Sequence, residues 1–179
     1  MEGRTLAERI NRRCHLTGSF QLRSGQMSKE YFDKYLFETQ PHVLREVSEV
    51  MVGLLPACDL LAGVELGGVP IATVMSQLTG LPTVFVRKQA KNYGTCKCIE
   101  GDPVEGQRVV VIEDVVTTGG ALLQASTELR KAGAELDTAV CAVDREQGGS
   151  ANLLAHGIQL RAALTGSDLH VAPPSNTEG

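Results

Sequence analysis

The stretch of sequence that decides the fold runs from Arg108 to Ala121 and reads Arg-Val-Val-Val-Ile-Glu-Asp-Val-Val-Thr-Thr-Gly-Gly-Ala. Its apolar first part, Arg108–Ile112, is typical of a strand that is buried on both faces of a parallel sheet. Two adjacent acids, Glu113 and Asp114, follow it, and a Thr-Thr-Gly-Gly turn then leads into a helical pattern. The stretch therefore predicts a strand, a turn and a helix, with both acids at the carboxyl end of the strand.

The turn, residues 117–120, has the chemistry of a phosphate-binding site. It would expose consecutive backbone N–H groups and two hydroxyls at the positive N-terminus of a helix. The two acids would lie at the edge where open α/β sheets bind ligands, and they suit either ribose hydroxyls or a magnesium ion. The alternative is an ordinary strand–turn–helix connection, which a lone Thr-Gly-Gly would favour. The complete pattern of strand, two acids, turn and helix favours phosphate binding.

Three further short apolar runs are predicted to be strands. They are Leu60–Val64, Thr83–Val86 and Thr138–Val143, and none of them contains a charged residue. Runs of this length without charge are typical of strands that helices cover on both sides.

Helical patterns lie between these strands. An apolar stripe from Val43 to Leu55 repeats at helical spacing, and so does one over Leu122–Ala132, which Gly133 follows as a C-terminal glycine would. Pro70 fits the first turn of a helix that runs to about Leu78. Because helix and strand alternate, the predicted fold class is α/β, with a mostly parallel central sheet flanked by helices.

Two regions depart from this alternation. Residues 14–37 contain glycines and aromatic residues in short extended runs and predict a small hairpin, or hood, outside the main sheet. Residues 87–106 are polar and rich in lysine and glycine, which is typical of a functional lid or a disordered segment. We expect a single domain over residues 1–170 and a flexible tail over 171–179.

The composition narrows the class of function. The chain has 179 residues, of which 42% are hydrophobic and 21% charged, and its formal net charge is −4. These values are typical of a globular protein, and an acidic balance disfavours sequence-independent nucleic-acid binding. Residues 66–86 carry no charge but contain glycine and proline, so we interpret them as a buried helix and strand rather than a membrane span. No signal-peptide pattern begins the sequence, which predicts a cytoplasmic protein.

The five cysteines do not form a recognisable framework. Only Cys96 and Cys98 are close in sequence, no second pair accompanies them, and no histidine is near. We therefore expect reduced thiols and no zinc site, and the sequence leaves a redox role for this pair open.

Taken together, these segments resemble the type I phosphoribosyltransferases. Residues 113–121 resemble the motif that binds phosphoribosyl pyrophosphate (PRPP). Four further segments resemble, in order, those of the orotate-specific branch: the hood (residues 20–33), the pyrophosphate loop (62–70), the mobile catalytic loop (86–94) and an orotate-contacting segment (143–149). The similarity extends from about residue 14 to about residue 165, and the order of the five segments is specific to the orotate branch.

The resemblance implies a role for each matching residue. The implied PRPP-binding residues are Arg23, Arg87, Lys88, Lys91, Glu113, Asp114, Val115, Val116, Thr117, Thr118, Gly119, Gly120 and Ala121. The implied pyrophosphate loop is Glu65, Leu66, Gly67 and Gly68, and the implied orotate contacts are Thr117, Arg145, Tyr31 and Phe32. Catalytic roles are implied for Lys91, Tyr93, Glu113 and Asp114.

Each of these residue types suits its implied role, although each has an ordinary alternative. The basic residues after Val86 could close over pyrophosphate, or form a solvated loop. Arg145 offers a planar donor fork to a pyrimidine or carboxylate, or pairs with its acidic neighbours on the surface. Tyr31 and Phe32 line a base pocket or pack in a core, and Arg23 binds an anion or is solvated.

Three positions depart from the family pattern. Arg23 stands where the family usually has lysine, Gln89 where it has glutamate, and Tyr93 where it has histidine. Since histidine exchanges a proton near neutral pH and tyrosine titrates near pH 10, the change at Tyr93 matters most for rate.

The implied activity is the transfer of the phosphoribosyl group of PRPP to orotate, which gives orotidine 5′-monophosphate and pyrophosphate in UMP biosynthesis. Magnesium would be held mainly through PRPP and not directly by the protein. The resemblance also implies a homodimer with shared active sites, and no nucleic-acid or membrane partner. Two alternatives stay open: a phosphoribosyltransferase for another base, and a PRPP-binding regulatory protein with little catalysis.

Overall fold

A six-stranded sheet forms the centre of the protein in the computed structural model, which describes residues 5–21, 25–89 and 98–169. The strands are β1 (His15–Gln21), β2 (Met27–Phe32), β3 (Leu60–Val64), β4 (Thr83–Val86), β5 (Ile99–Glu100), β6 (Arg108–Val116), β7 (Glu135–Asp144) and β8 (Gln159–Thr165). The helices are α1 (Leu6–Cys14), α2 (Tyr35–Glu38), α3 (Pro41–Val52), α4 (Gly68–Thr79), α5 (Gly120–Lys131), α6 (Gly149–Ala155) and α7 (Gly166–Leu169).

The central sheet has the strand order β5-β4-β3-β6-β7-β8. All neighbouring strands are parallel except β4 and β5, which are antiparallel. This arrangement confirms the predicted α/β class with a mostly parallel sheet. The sheet order also makes β3 and β6 neighbours, so the turns that follow these two strands lie at the same edge.

Two apolar cores cover the two faces of the sheet. On one face, Leu122 and Leu129 of α5 and Leu153 of α6 pack against β6 and β7. On the other face, α1, α3 and α4 contribute buried residues such as Val47 and Met75. Both cores use valine and isoleucine from the same strands, because alternate residues of a strand point to opposite faces.

Strand β6 is longer than the sequence predicts. The apolar run ends at Ile112, but β6 continues to Val116, since its last residues pair in parallel with the end of β7. The two acids therefore lie within the strand and not beyond its end. Val111 belongs to one core and Ile112 to the other, so Glu113 and Asp114 face opposite sides of the sheet.

The predicted hood is present as an antiparallel hairpin, separate from the main sheet. Strands β1 and β2 form a two-stranded sheet of their own, and the rings of Phe20 and Tyr31 stack across it with centroids 5.5 Å apart. Helix α2 follows directly and packs beside α1 and α3. The hairpin and α2 therefore lie next to each other at the N-terminal side of the fold.

The helix predictions hold with small changes at the ends. The stripe over Val43–Leu55 forms α3, which ends at Val52, and Pro70 lies in the first turn of α4. The predicted lid, residues 87–106, contains the short edge strand β5, which the sequence did not indicate. Residues 90–97 of this lid and the predicted tail, residues 171–179, lie outside the described residues. In the described part of the chain, no helix is both long and apolar enough to cross a membrane.

Candidate active site at the carboxyl edge of the sheet

Two cavities meet at the carboxyl ends of the central strands, and Thr117 lines both of them. The larger cavity has a volume of about 690 Å³ and lies over the turn between β6 and α5. The smaller has a volume of about 430 Å³ and lies between the hairpin and the residues that follow β7. A ligand with two unlike parts could therefore occupy both cavities at once.

The larger cavity, which we call the turn cavity, has the lining that the sequence predicted for phosphate. Its lining residues are Lys88, Gln89, Glu113, Val115, Val116, Thr117, Thr118, Gly119, Gly120, Ala121, Leu122 and Gln124. Gly119 adopts a left-handed conformation (φ +79), which a side chain would strain. From behind, Asn152 of α6 donates its amide N–H to the Thr118 carbonyl oxygen at 2.8 Å. The turn is thus held open toward the cavity by a glycine and by a neighbouring helix.

The two adjacent acids have different surroundings. Glu113 lines the turn cavity, where burial and then the negative charge of Asp114 raise the pKa of its carboxyl group well above the ordinary value. Asp114 is fully buried on the other side of β6. Burial alone would raise its pKa, but hydrogen bonding with Glu113 and the charge of Lys34 outweigh burial, so the pKa of Asp114 is lowered. At neutral pH, Asp114 is the ionised member of this pair.

Asp114 is held by residues of the segment around α2. Lys34 Nζ lies 2.6 Å from Asp114 Oδ2 and 5.3 Å from the centroid of the Tyr35 ring. Glu38, also buried, lies beside the same carboxylate; burial and then hydrogen bonding with Asp114 raise the pKa of Glu38 to about 8. Asp114 therefore contacts the protein's own side chains, while Glu113 contacts the cavity.

The turn between β3 and α4, residues 65–68, packs against this buried carboxylate. A methyl group added at Gly67 would overlap Asp114 Oδ2 and lie 2.7 Å from Glu38 Oε1, so this position requires glycine. Glu65 Oε2 accepts the Lys88 backbone N–H at 2.9 Å, and Gln124 of α5 donates to the Lys88 carbonyl oxygen at 3.0 Å. Lys88 is thereby fixed between the two turns, at the rim of the turn cavity.

The smaller cavity, which we call the hairpin cavity, contains all four residues that the sequence assigned to the base. Its lining residues are His15, Ser28, Glu30, Tyr31, Phe32, Thr117, Arg145, Gln147, Gly166 and Leu169. The guanidinium carbon of Arg145 lies 5.2 Å from the centroid of the Phe32 ring, within cation–π distance. A planar, charged ring could bind here between an aromatic face and a planar donor.

Not every predicted residue reaches a cavity. Arg87 lies 3.9 Å from Glu100 of β5 and does not line the turn cavity, while Leu66 is 57% exposed. Arg23, Lys91 and Tyr93 lie outside the described residues.

The sequence did not indicate four features of the site: Lys34, Glu38, Asn152 and the pair of His15 with Glu30. The side chains of His15 and Glu30 lie 3.3 Å apart in the hairpin cavity. Lys34 and Glu38 belong to a segment without a chemical motif, and they meet Asp114 only through the packing of α2. One signal was available, since an acid and a base four residues apart on a short helical segment can serve the same buried group.

The structure also describes four of the five cysteines. Cys14, Cys58, Cys98 and Cys141 are free thiols, and burial raises the pKa of each. Cys96, the partner in the predicted close pair, lies outside the described residues. Over residues 5–21, 25–89 and 98–169, no group of three or more histidine, cysteine or acidic side chains is arranged to hold a metal ion.

Comparison with known proteins agrees with this geometry. Residues 37–152 match the phosphoribosyl transferase domain family. A curated orotate phosphoribosyltransferase of a Nocardioides species is 57% identical over 169 residues, which cover 94% of each chain. A crystal structure of Mycobacterium tuberculosis orotate phosphoribosyltransferase aligns with a TM-score of 0.84 and 31% identity, covering 93% of this chain and 97% of that one. A structure of the M. tuberculosis enzyme in complex with PRPP aligns with a TM-score of 0.78 and 30% identity, covering 92% and 96%.

Proposed function

This chain belongs to the orotate phosphoribosyltransferase family, and on that premise we propose that it transfers the phosphoribosyl group of PRPP to orotate. The products are orotidine 5′-monophosphate and pyrophosphate, a step of de novo UMP biosynthesis. The observation that carries the proposal is the pair of cavities joined at Thr117. One cavity has a lining suited to phosphate and the other a lining suited to a planar anion, so a single site can bring the two substrates together.

PRPP binds in the turn cavity. The 5-phosphate lies against the backbone N–H groups and hydroxyls of residues 117–120, at the N-terminus of α5, where the helix dipole favours an anion. The carboxyl group of Glu113 lies in the same cavity and serves the ribose hydroxyls. Lys88, fixed at the rim through its backbone, carries positive charge toward the pyrophosphate.

Orotate binds in the hairpin cavity. Its pyrimidine ring lies against the aromatic residues of β2, and Arg145 donates hydrogen bonds to the carboxylate or a carbonyl oxygen. Arg145 is also what separates orotate from the purine alternative, because an acidic pyrimidine gains from a guanidinium group while a neutral purine does not. Thr117, between the cavities, contacts the base next to the ribose.

Catalysis follows from charge placement. Displacement of pyrophosphate develops positive charge on the ribose. Glu113 lines the turn cavity on that side, and the buried Asp114 carboxylate supplies negative charge from the other side of β6. The leaving pyrophosphate needs positive charge, which Lys88 and Lys91 supply together with the backbone of residues 65–68. Arg87, which lies 3.9 Å from Glu100, adds positive charge from outside the turn cavity. The family resemblance alone assigns Arg23 and Tyr93 to this reaction, with tyrosine in place of the usual histidine. No covalent nucleophile is needed, so no cysteine has a chemical role in this reaction.

Magnesium would bind at this site together with PRPP. The described side chains offer no three-ligand group for a cation, so the oxygens of PRPP supply most of the ligands. When bound, magnesium would supply neutralising charge to the pyrophosphate oxygens. We further infer a homodimer with shared active sites and a cytoplasmic location.

The deciding experiment is an ultraviolet assay of orotate consumption. Loss of orotate absorbance that requires PRPP, magnesium and protein together would establish the reaction and show that Arg23 and Tyr93 are tolerated. If PRPP binds but orotate is not consumed, assays with other bases distinguish a different phosphoribosyltransferase from a regulatory protein. Turnover of another base with none of orotate would overturn the proposal.

A further inference from the structure

A buried cluster joins α2 to the carboxyl edge of the sheet. It consists of Lys34, Glu38 and Asp114, and we call it the α2 cluster. Glu38 is only 7% exposed and Asp114 is fully buried, while the Lys34 ammonium lies 2.6 Å from Asp114 Oδ2. Buried charged groups are costly unless they are paired, so the arrangement of these three side chains needs an explanation.

Two oxygens of this cluster, Glu38 Oε1 and Asp114 Oδ2, are buried without a hydrogen bond among the described residues, although Lys34 Nζ lies 2.6 Å from Asp114 Oδ2. Glu38 Oε1 has no hydrogen-bond partner among the described residues. It faces the same point in space as Asp114 Oδ2, because a methyl group built on Gly67 would meet both oxygens. Two carboxyl groups are therefore in contact, with little else to satisfy the Glu38 oxygen.

The contact between two carboxyl groups requires a proton. An ionised carboxylate only accepts hydrogen bonds, so the two groups attract each other only when one of them is protonated. Asp114 has the ammonium of Lys34 beside it and stays ionised. Glu38 is the protonated member, since burial and the neighbouring negative charge raise its pKa to about 8.

We propose that Glu38 is a positioning residue, which donates a hydrogen bond from its protonated carboxyl group to Asp114 Oδ2 and, with Lys34, fixes the Asp114 carboxylate. Asp114 Oδ1 accepts the backbone N–H of Val115, which lines the turn cavity. Its other oxygen packs against Gly67 in the β3–α4 turn. The orientation of one buried carboxylate thus sets the position of two elements that approach PRPP.

This inference rests on the proposed function, because the two elements matter to catalysis only if PRPP binds between them. The groups that surround Glu38 come from three parts of the chain: Cys14 of α1, Asp33 and Lys34 before α2, and Glu113 and Asp114 of β6. Burial raises the pKa of Cys14 to about 12, and Lys34 has a raised pKa, so neither changes charge between pH 7 and pH 9. Glu113 also has a raised pKa, but it is present in every Glu38 variant, so a pH effect in that range that disappears only when Glu38 is replaced belongs to Glu38.

The test compares Glu38→Gln with Glu38→Ala in the full-length protein. Glutamine keeps a donor at every pH, whereas alanine removes it. We expect Glu38→Ala to raise the KM for PRPP about tenfold, since a hydrogen bond to a charged group is lost. The KM of Glu38→Gln for PRPP should stay within about twofold of the parent's value at pH 7.

The pH profile gives a second comparison. The parent should lose kcat/KM for PRPP between pH 7.5 and 9, and Glu38→Gln should not. Glu49→Gln, an exposed glutamate of α3, is the matched control.

Three outcomes overturn the proposal. The first is a Glu38→Ala variant with parental KM and kcat. The second is a folded Glu38→Gln variant as impaired as Glu38→Ala, which would mean that an ionised Glu38 is needed. The third is an unchanged pH profile in Glu38→Gln. If Glu38→Ala does not fold, the glutamine variant and its pH profile still decide. If the parent itself does not consume orotate, the proposed function fails, and PRPP affinity measured by calorimetry on the same variants tests the positioning role separately.

Discussion

The turns after β3 and after β6 lie side by side at the same edge of the sheet, yet Gly67 of the first and Gly120 of the second have different surroundings. Gly67, in the β3–α4 turn, packs against Asp114 and Glu38, the buried carboxyl groups of the α2 cluster. Gly120, in the β6–α5 turn, would have only Thr118 Oγ1, at 3.9 Å, near an added methyl group. Gly67 is packed against buried groups of the protein, and Gly120 lines an open cavity.

This difference separates glycines that fold the protein from glycines that admit a ligand. A side chain at a packed position collides with groups that cannot move, so the folded state loses stability. At an open position, a side chain fills space that the ligand needs, so affinity falls while stability does not. A substitution of Gly67 should therefore lower the stability of the fold, whereas a substitution of Gly120 should lower ligand affinity.

The largest effect is expected for Gly67→Ala. The added methyl group overlaps a buried carboxylate that Lys34 holds in place, so we expect a loss of about 3 kcal/mol in the free energy of unfolding. Activity should fall together with stability. Urea unfolding followed by circular dichroism measures the change. A Gly67→Ala protein as stable as the parent would show that the turn is less tightly packed than the contacts indicate.

Arg145→Ala extends the comparison to the hairpin cavity. The guanidinium group packs on Phe32 and is the planar donor of that cavity, so its loss should lower kcat/KM for orotate about 100-fold. PRPP affinity, measured by calorimetry, should stay unchanged, because Arg145 does not line the turn cavity. An unchanged orotate rate would contradict the assignment of this residue.

Gly120→Ala is the counterpart of the first prediction. Stability should change by less than about 1 kcal/mol, and in the favourable direction, because alanine is the better residue in a helix. PRPP affinity should fall about tenfold, because the methyl group projects toward the turn cavity where the phosphate binds. Thermal unfolding and calorimetry on the same preparation check both halves. A loss of stability without a loss of affinity would reverse the comparison.

The last prediction concerns the pH dependence of stability. The pKa of Glu38 is raised from 4.5 to about 8 in the folded protein, so the native state holds a proton that the unfolded state has released. The stability contributed by this proton is complete below about pH 4.5 and is lost as pH rises toward 8. Glu38→Gln has no such proton. Between pH 5 and pH 8, its free energy of unfolding should therefore fall less than that of the parent, and parallel curves would contradict the assignment.

Much of the site was predictable because its residues are close in sequence. The strand, turn and helix that begin at Arg108 form one local unit, and all of residues 115–121 line the turn cavity as predicted. Tyr31, Phe32, Thr117 and Arg145 likewise meet in the hairpin cavity. Motifs of this kind succeed because a backbone turn and its flanking elements are set mainly by local chemistry.

Other features were beyond such reasoning. The sequence placed Glu113 and Asp114 together, but pairing with β7 extends β6 through both of them and turns their side chains to opposite faces. Arg87 was predicted to bind PRPP, yet its side chain lies near Glu100 of β5. In each case the decisive partner is a residue that is remote in sequence.

By itself, the sequence determined the fold class, the strand, turn and helix that begin at Arg108, and the family, because periodicity and local motifs depend on neighbouring residues. Only the tertiary structure decided which of two adjacent acids lines the turn cavity and which is buried with Lys34 and Glu38. The physical reason is that the protonation and orientation of a buried carboxyl group depend on the charges and burial that packing brings around it, and these come from distant parts of the chain.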